Sequence, residues 1–217
     1  MLGLNLPRLA AVIVGVLIAI DVHECCHAWV ASALGDPTAR QRGRVSLNPI
    51  VHLDPLGTLM ILITAFAGFG IGWGKPVPVD PYRLRYGPRL GMGIVSLAGP
   101  AANLITAALL AVPLRGGVPI LPGFVFELLF IACMVNIGLA VFNLLPLPPL
   151  DGYGVLMGIL AGVRAPWAYR WSYTIARYER YGPLILLLII IADRYIPVFS
   201  IIIQPPYLLL RRLILGV

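Results

Sequence analysis

The sequence predicts an all-α polytopic membrane protein, a bundle of about five to six transmembrane helices with one re-entrant or extended, β-like element. The first observation is composition: 59% of the 217 residues are hydrophobic, 12% are charged and the mean hydropathy is +0.92. A soluble domain is about half apolar and about one quarter charged. Its surface needs more polar groups than 16 basic and 9 acidic residues supply, so the bilayer is the expected solvent.

The second observation is the spacing of long apolar segments. Five of them occur, at about 9–34, 57–73, 91–114, 124–146 and 183–203. Crossing a bilayer takes about 20 helical residues, a length that every segment reaches except 57–73. That segment either spans the membrane or enters it and returns as a re-entrant hairpin.

The third observation, the distribution of basic residues, favours the hairpin. If 57–73 returns, the loops 35–56, 74–90 and 163–182 share one face and hold most of the 16 basic residues. Lys and Arg gather in cytoplasmic loops, so this arrangement satisfies the charge rule better than a span does. It also predicts that a polar motif late in the first helix and Asp151, after the fourth segment, approach the same cytoplasmic side.

Length and charge limit the classes of protein that this chain can represent. We expect a single integral-membrane domain over 1–217, with a core at about 9–160 and a C-terminal helical segment at about 183–210. The net charge of +7 does not indicate nucleic acid, because the basic residues lie between apolar segments rather than in one stripe. Three cysteines inside apolar segments predict buried thiols rather than disulfides. A signal peptide would not carry the ionisable residues found at 21–27.

The polar motif is His23-Glu-Cys-Cys-His27, an H-E-x-x-H sequence. On a helix, histidines four residues apart project from one face and can both bind Zn²⁺, and Glu24 lies close enough to act on water at the metal. The alternative is a polar cluster that faces a cavity. Ionisable groups are costly in an apolar segment, so three within five positions favour a metal site.

Catalytic zinc usually has three protein ligands, so the sequence must supply a third. Candidates are His52, the cysteines and several acids, and Asp151 is the strongest because prolines break the helix before it and free nearby backbone groups. The alternative is that Asp151 caps the short helix expected at 152–163. His52 could support or gate the site, but we expect a loop histidine that is hydrogen-bonded to Asp54.

Together these motifs resemble the site-2 proteases, which are intramembrane zinc metalloproteases, and most closely the small bacterial members without a PDZ domain. Two signatures are present: H-E-x-x-H at 23–27 and N-x-x-P-x-x-x-L-D-G at 143–152. The resemblance extends to 98–103 and 72–79 and covers about residues 9–160. It implies that His23, His27 and Asp151 bind Zn²⁺ and that Glu24 is the general base. It also implies substrate or transition-state contacts for Asn103, Asn143 and Lys75, the last in an extended stretch, 75–79, near the active site.

The resemblance implies a zinc-dependent intramembrane endopeptidase that hydrolyses peptide bonds in or near transmembrane segments of membrane proteins. We expect a multi-pass protein of the bacterial inner membrane, its active site toward the cytoplasm and its partners a peptide or membrane-protein substrate and the lipid bilayer. The sequence leaves the oligomeric state open. The alternatives are a metal-binding membrane protein or transporter, which would need more ligands along a pore, and an inactive scaffold, which would not need Glu24.

Overall fold

The computed structural model describes residues 6–67, 72–115, 121–193 and 195–216, and this part of the chain is helical. Eight longer α-helices and one single turn, α2, follow one another: α1 (Leu6–Ala33), α2 (Thr38–Gln41), α3 (Pro55–Ala67), α4 (Pro88–Arg115), α5 (Gly123–Asn143), α6 (Asp151–Gly162), α7 (Pro166–Tyr178), α8 (Gly182–Ala192) and α9 (Val198–Leu215). Short 3₁₀ turns lie at Pro49–Val51, Pro81–Arg83 and Glu179–Tyr181.

Three helices, α1, α4 and α5, are long and apolar enough to cross a membrane. They coincide with the predicted segments 9–34, 91–114 and 124–146, so the all-helical membrane fold is confirmed. Where the sequence predicted about five to six transmembrane helices, the described residues contain three candidate spans.

The last apolar segment, 183–203, is long enough to cross a bilayer, but the sequence leaves open how many helices it forms. The chain divides it into α8, which ends at Ala192, and α9, which begins at Val198. Pro197 disfavours helical geometry at the residue before it, which accounts for the break. The 11 residues of α8 extend only about 17 Å, less than the thickness of the hydrocarbon core.

The two ends of segment 57–73 lie next to each other in the structure. Leu53, before α3, forms an isolated antiparallel bridge with Gly74, and the amide of Lys75 donates to the carbonyl of His52 at 2.7 Å. Residues 68–71 of this segment lie outside the described residues. The β-like element predicted at 75–79 is not found: this stretch has neither helix nor strand, and the described residues contain no strand. Pro76 and Pro78 have no N–H with which to continue a ladder from the bridge at Gly74.

Small residues allow the central helices to approach closely. In α1, Gly15 lies against α5, where a Cβ would come within 3.1 Å of the Cα of Ala132. Between α4 and α6, a Cβ on Gly93 would come within 2.7 Å of the Cα of Gly158. Dispersion and close backbone packing replace the hydrophobic effect between helices in lipid, so these contacts hold α6 against the bundle.

The three basic loops meet at one end of the molecule. The amide of Arg85 donates to the carbonyl of Leu34 at 2.8 Å, and Arg89 donates to the hydroxyl of Ser172 at 3.1 Å. The far end of α4 is at the opposite end, where Arg115 lies beside Gly216. The loops 35–56, 74–90 and 163–182 therefore lie together, as the hairpin arrangement requires.

Asp36 fastens two of these loops to each other. Its fully buried carboxylate accepts hydrogen bonds from the hydroxyl and amide of Thr38 and, at 2.7 Å, from the amide of Asp80. Burial by itself would raise the pKa of Asp36, but these donors together with nearby Arg83 lower it below its ordinary value. Asp36 therefore fixes the loop that follows α1 to the loop that precedes α4.

Candidate metal centre

The two histidines of the H-E-x-x-H sequence lie on one face of α1. Both side chains are buried, and their rings are nearly perpendicular with centroids 4.6 Å apart. A separation of four residues on a 3.6-residue period accounts for this juxtaposition. Each ring directs its Nε2 atom away from α1, toward the start of α6.

Asp151, the first residue of α6, meets the two histidines there. Its Oδ2 is 2.9 Å from Nε2 of His23, and its Oδ1 is 3.3 Å from Nε2 of His27. The residue before it, Leu150, occupies the N-cap position, and no side chain caps this helix. The carboxylate of Asp151 is therefore directed at the imidazoles instead of serving as the N-cap that the sequence left as an alternative.

The three residues fit a metal ion. One ligand atom from each lies within 4.8 Å of the others. The Nδ1 atoms already have acceptors, since His23 faces Oδ1 of Asn103 at 2.6 Å and His27 faces the carbonyl of Val95 at 2.7 Å. When Nδ1 carries the proton, each Nε2 presents a lone pair to a carboxylate oxygen, and a cation between them relieves the repulsion.

In the part of the chain that the structure describes, the carboxylate of Asp151 lacks a donor of its own. Its Oδ2 is buried and has no hydrogen-bond partner among the described residues. Two neutral imidazoles with one carboxylate form a donor set that suits Zn²⁺ and leaves a fourth position open.

Gly99 of α4 forms one wall of this centre. A Cβ at Gly99 would lie 2.4 Å from Nε2 of His27 and 2.7 Å from Nε2 of His23. Any larger residue would occupy the space into which the two nitrogens point. Glycine at position 99 therefore keeps the space between the ligand atoms open.

A chain of buried amides fixes the orientation of His23. The side-chain NH₂ of Asn103 donates to the carbonyl of Ala19 at 2.8 Å and to Oδ1 of Asn136 at 2.9 Å, so its oxygen is left to accept from His23. Asn136 is held in turn by the carbonyl of Ala132 at 2.8 Å. Both asparagines are fully buried. Sequence reasoning placed Asn103 near the site but missed Asn136, whose only signal was an amide in the middle of an apolar helix.

Glu24 lines the same cavity as His23, His27 and Asp151 and lies close to Gly74. Its side chain is half-buried, and a Cβ on Gly74 would come within 3.3 Å of its Oε1. Nearby, the buried guanidinium of Arg44 donates to the carbonyls of Val51, Lys75 and Pro76. Arg44 therefore holds the loop before α3 and the extended stretch together beside Glu24.

The centre opens into a cavity of about 1030 Å³ between the three candidate spans. His23, Glu24, His27 and Asp151 line it, together with apolar residues of α1, α4, α5 and the extended stretch. The cavity is large enough for several residues of an extended peptide, and its lining is mostly apolar. A reactive group at the metal would therefore meet an apolar chain.

The other residues named from the sequence occupy different positions. Asn143 is half-buried, lines the cavity and donates to the carbonyl of Leu139 at 3.0 Å. Lys75 is exposed and its side chain does not line the cavity. His52 is fully buried, and its Nε2 lies 2.9 Å from the carbonyl of Ser46 and 3.6 Å from Asp21.

The expectation of a His52–Asp54 hydrogen bond was wrong. Asp54 instead accepts from the amide of Gly57 at 2.8 Å in the first turn of α3. The first amides of a helix have no partner within the helix, so the carboxylate of Asp54 binds one of them instead of the ring of His52.

Comparisons with known proteins agree with this centre. Residues 121–186 match the model of Peptidase family M50. The chain is 41% identical over 169 residues to the candidate zinc metalloprotease YwhC of Bacillus subtilis, an alignment that covers 74% of each protein. It is 37% identical over 147 residues to the candidate zinc metalloprotease Rip2 of Mycolicibacterium smegmatis, covering 67% of this chain and 55% of Rip2. No solved structure matches.

The chain therefore belongs to Peptidase family M50, the site-2 protease-like zinc metalloproteases. The predicted resemblance, the enzyme class and zinc as the cofactor are confirmed at the level of this family. A peptide substrate follows from the enzyme class.

Proposed function

We propose that the protein is a zinc-dependent intramembrane endopeptidase that cleaves peptide bonds in or near the transmembrane segments of other membrane proteins. The main support is the position of His23, His27 and Asp151, which could hold a metal ion. They line a mostly apolar cavity that is bounded by three helices, each able to cross a bilayer. A soluble protease has no need to place its centre there.

In this proposal His23, His27 and Asp151 hold the metal and Glu24 is the general base. A bound zinc ion supplies a Lewis acid that polarises the scissile carbonyl and activates water. Glu24 takes a proton from the attacking water and later delivers it to the leaving amine. Asn103, with no N–H free for a substrate, positions His23, while Asn143 faces the cavity and is available to a bound chain.

We further propose that the extended stretch 75–79 binds the substrate by backbone pairing. Val77 and Val79 both line the cavity, and within the described residues their backbone groups form no hydrogen bond. They lie two residues apart, so in an extended chain their N–H and C=O groups face the same way. A helical substrate segment that unwinds here would gain an edge partner, which exposes its peptide bonds to the centre.

The membrane arrangement in this proposal is a single integral domain, with segment 57–73 re-entrant and the three basic loops on the cytoplasmic side of a bacterial inner membrane. The adjacency of Leu53 and Gly74 supports the re-entrant arrangement, since a spanning segment would separate them by the bilayer thickness. The gathering of basic loops at one end supports the orientation. The metal centre then opens toward the cytoplasmic half.

The test compares the purified wild type with Glu24→Gln, Asp151→Ala and the matched control Glu127→Gln, an equivalent change on α5. We expect Glu24→Gln to keep zinc and lose roughly 10²- to 10⁴-fold in cleavage of a single-span substrate. Asp151→Ala should lose zinc and cleavage, whereas Glu127→Gln should keep both. Zinc binding with cleavage that is absent, or indifferent to Glu24, would favour a metal-binding protein or transporter instead.

A second pair of variants tests the backbone pairing. Val77→Pro removes one N–H at nearly constant apolar volume, while Val77→Leu keeps it. We expect Val77→Pro to raise KM for a membrane-span substrate, with zinc content unchanged, and Val77→Leu to behave like the wild type. Equal KM values for the two variants would contradict pairing at this edge.

A further inference from the structure

Helix α7 presents an aromatic and cationic surface that neither the fold nor the metal centre uses. It packs on α6 through the buried Ala168, and its buried Ser172 accepts from Arg89 at the start of α4. On the opposite face, Arg170 and Arg177 are exposed and, seven residues apart, lie within about 20° of each other around the helix. Neither guanidinium has a hydrogen bond or ion pair in the described part of the chain.

Large aromatic side chains flank the two arginines. Trp167, Trp171 and Tyr178 are 52%, 60% and 57% exposed and lie within about 40° of one another on one side of the helix. Tyr169 and Tyr173, 70% and 66% exposed, lie on the other side. Trp and Tyr rings favour the boundary between lipid headgroups and hydrocarbon, where one end is apolar and the other hydrated.

The region around α7 carries a net positive charge. Residues 163–182 contain four arginines and a single acid, Glu179, which already accepts from the hydroxyl of Tyr153 at 2.8 Å. The 13 residues of α7 extend about 20 Å and include two arginines, so the helix is too short and too polar to cross a bilayer. An amphipathic helix with arginines on its polar face and tryptophans beside them is typical of helices that lie in the membrane interface.

We propose that α7, together with Arg164 and Arg180 at its ends, binds the phosphate groups of anionic lipids at the membrane surface. The arginines pair with the phosphates, while Trp167, Trp171 and Tyr178 enter the headgroup region. The occupant is a lipid rather than a protein, because the three candidate spans place a bilayer surface within reach of α7 and because the charges of Arg170 and Arg177 complement anionic headgroups. Arg180 also donates to the hydroxyl of Tyr181 at 2.7 Å and lies over its ring, so it contributes less than the other three. This inference requires membrane insertion but not protease activity.

The position of this surface connects the lipid to the metal centre. A second cavity, of about 780 Å³, is lined on one side by Ala176, Glu179 and Arg180 and on the other by Asp151. The hydroxyl of Tyr153, two residues after Asp151, is bonded to Glu179. A headgroup that holds α7 therefore also fixes one wall of the cavity behind the third proposed metal ligand.

The experiment uses energy transfer from Trp167 and Trp171 to dansyl-labelled lipid in mixed micelles. The chain has four tryptophans, so Trp29→Phe with Trp73→Phe leaves these two as the only donors. We expect dansyl-phosphatidylglycerol to bind more tightly than dansyl-phosphatidylcholine. Arg170→Gln with Arg177→Gln should reduce this preference by up to roughly 30-fold, the factor that two arginines near an anionic surface contribute.

The matched control is Arg40→Gln with Arg42→Gln, which removes the same charge from exposed positions in another basic loop. It should retain the preference for phosphatidylglycerol. An equal loss in both pairs would reduce the effect to overall charge and overturn the proposal, as would a preference that survives in the α7 pair. Transfer that is absent for both lipids, with a change of oligomeric mass in the α7 pair, would assign this face to a second copy. Zinc content, measured on the same samples, shows separately whether the metal centre is intact.

Discussion

Replacing Gly99 by alanine tests how closely α4 packs against the metal centre. The added Cβ would lie 2.4 Å from Nε2 of His27, whereas ordinary van der Waals contacts begin at 3.4 Å, so the ring must retreat by about 1 Å. Metal–ligand distances tolerate only about 0.2 Å, and the contact with His23 at 2.7 Å displaces the second ligand as well. Disturbing the groups around metal ligands typically costs about 10- to 100-fold in metal affinity. Because both histidines are displaced here, we expect the upper end, a loss of zinc affinity of about 2.7 kcal/mol.

The assay is zinc competition against a calibrated chelator, with thermal unfolding of the metal-free protein measured in parallel. Gly138→Ala is the matched control, because its Cβ would meet only Tyr207 at 3.8 Å, an ordinary contact. We expect overpacking to lower the stability of metal-free Gly99→Ala by about 1–3 kcal/mol. If Gly99→Ala binds zinc within about threefold of the wild type, the ligand atoms do not point into the space that Gly99 keeps open, and the reasoning fails.

Three further predictions concern side chains around the centre. Asn136→Ala should weaken zinc binding by about 10-fold, the lower end of outer-shell effects, because Asn103 loses an acceptor; unchanged affinity would show that Asn103 is fixed without it. In Arg44→Lys the single ammonium group cannot bind all three carbonyls that the guanidinium binds. We expect the free energy of unfolding to fall by about 1.5–3 kcal/mol and the KM for substrate to rise, and an unchanged Tm would contradict this role. Folding lowers the pKa of Asp36 below its unfolded value of 3.8, so the ionised carboxylate stabilises the folded protein above that pH, and this stabilisation is lost as the pH falls. Asp36→Asn should therefore lose less stability than the wild type below about pH 4, and identical profiles of Tm against pH would refute this.

Much of the metal centre could be predicted because its chemistry is local in the sequence. His23 and His27 are four residues apart, and the helix period alone places them on one face. Asp151 stood out because a carboxylate after a run of prolines in apolar surroundings needs a reason. The helices α1, α4 and α5 could be predicted because about 20 apolar residues have few alternatives to crossing a bilayer.

The remaining features depend on contacts between distant parts of the chain. Asn136 holds Asn103 across 33 residues, and Arg44 reaches Pro76 across 32, and neither pairing leaves a periodic signal. The partner of His52 was mispredicted because proximity in sequence favoured Asp54, while folding brought Ser46 and Asp21 to the ring. The number of helices after Asp151 stayed open in the sequence, because hydropathy averages over the break before Val198.

The sequence by itself determined the long apolar helices, because composition and short-range periodicity fix how each segment meets lipid. Its two signature motifs carried the resemblance to the family. Only the tertiary structure decided which nitrogen of each histidine faces the metal space, which residue leaves that space open and which side chains hold the extended stretch beside Glu24. These features depend on distances between helices that are remote in the chain, and close packing sets those distances to within an ångström.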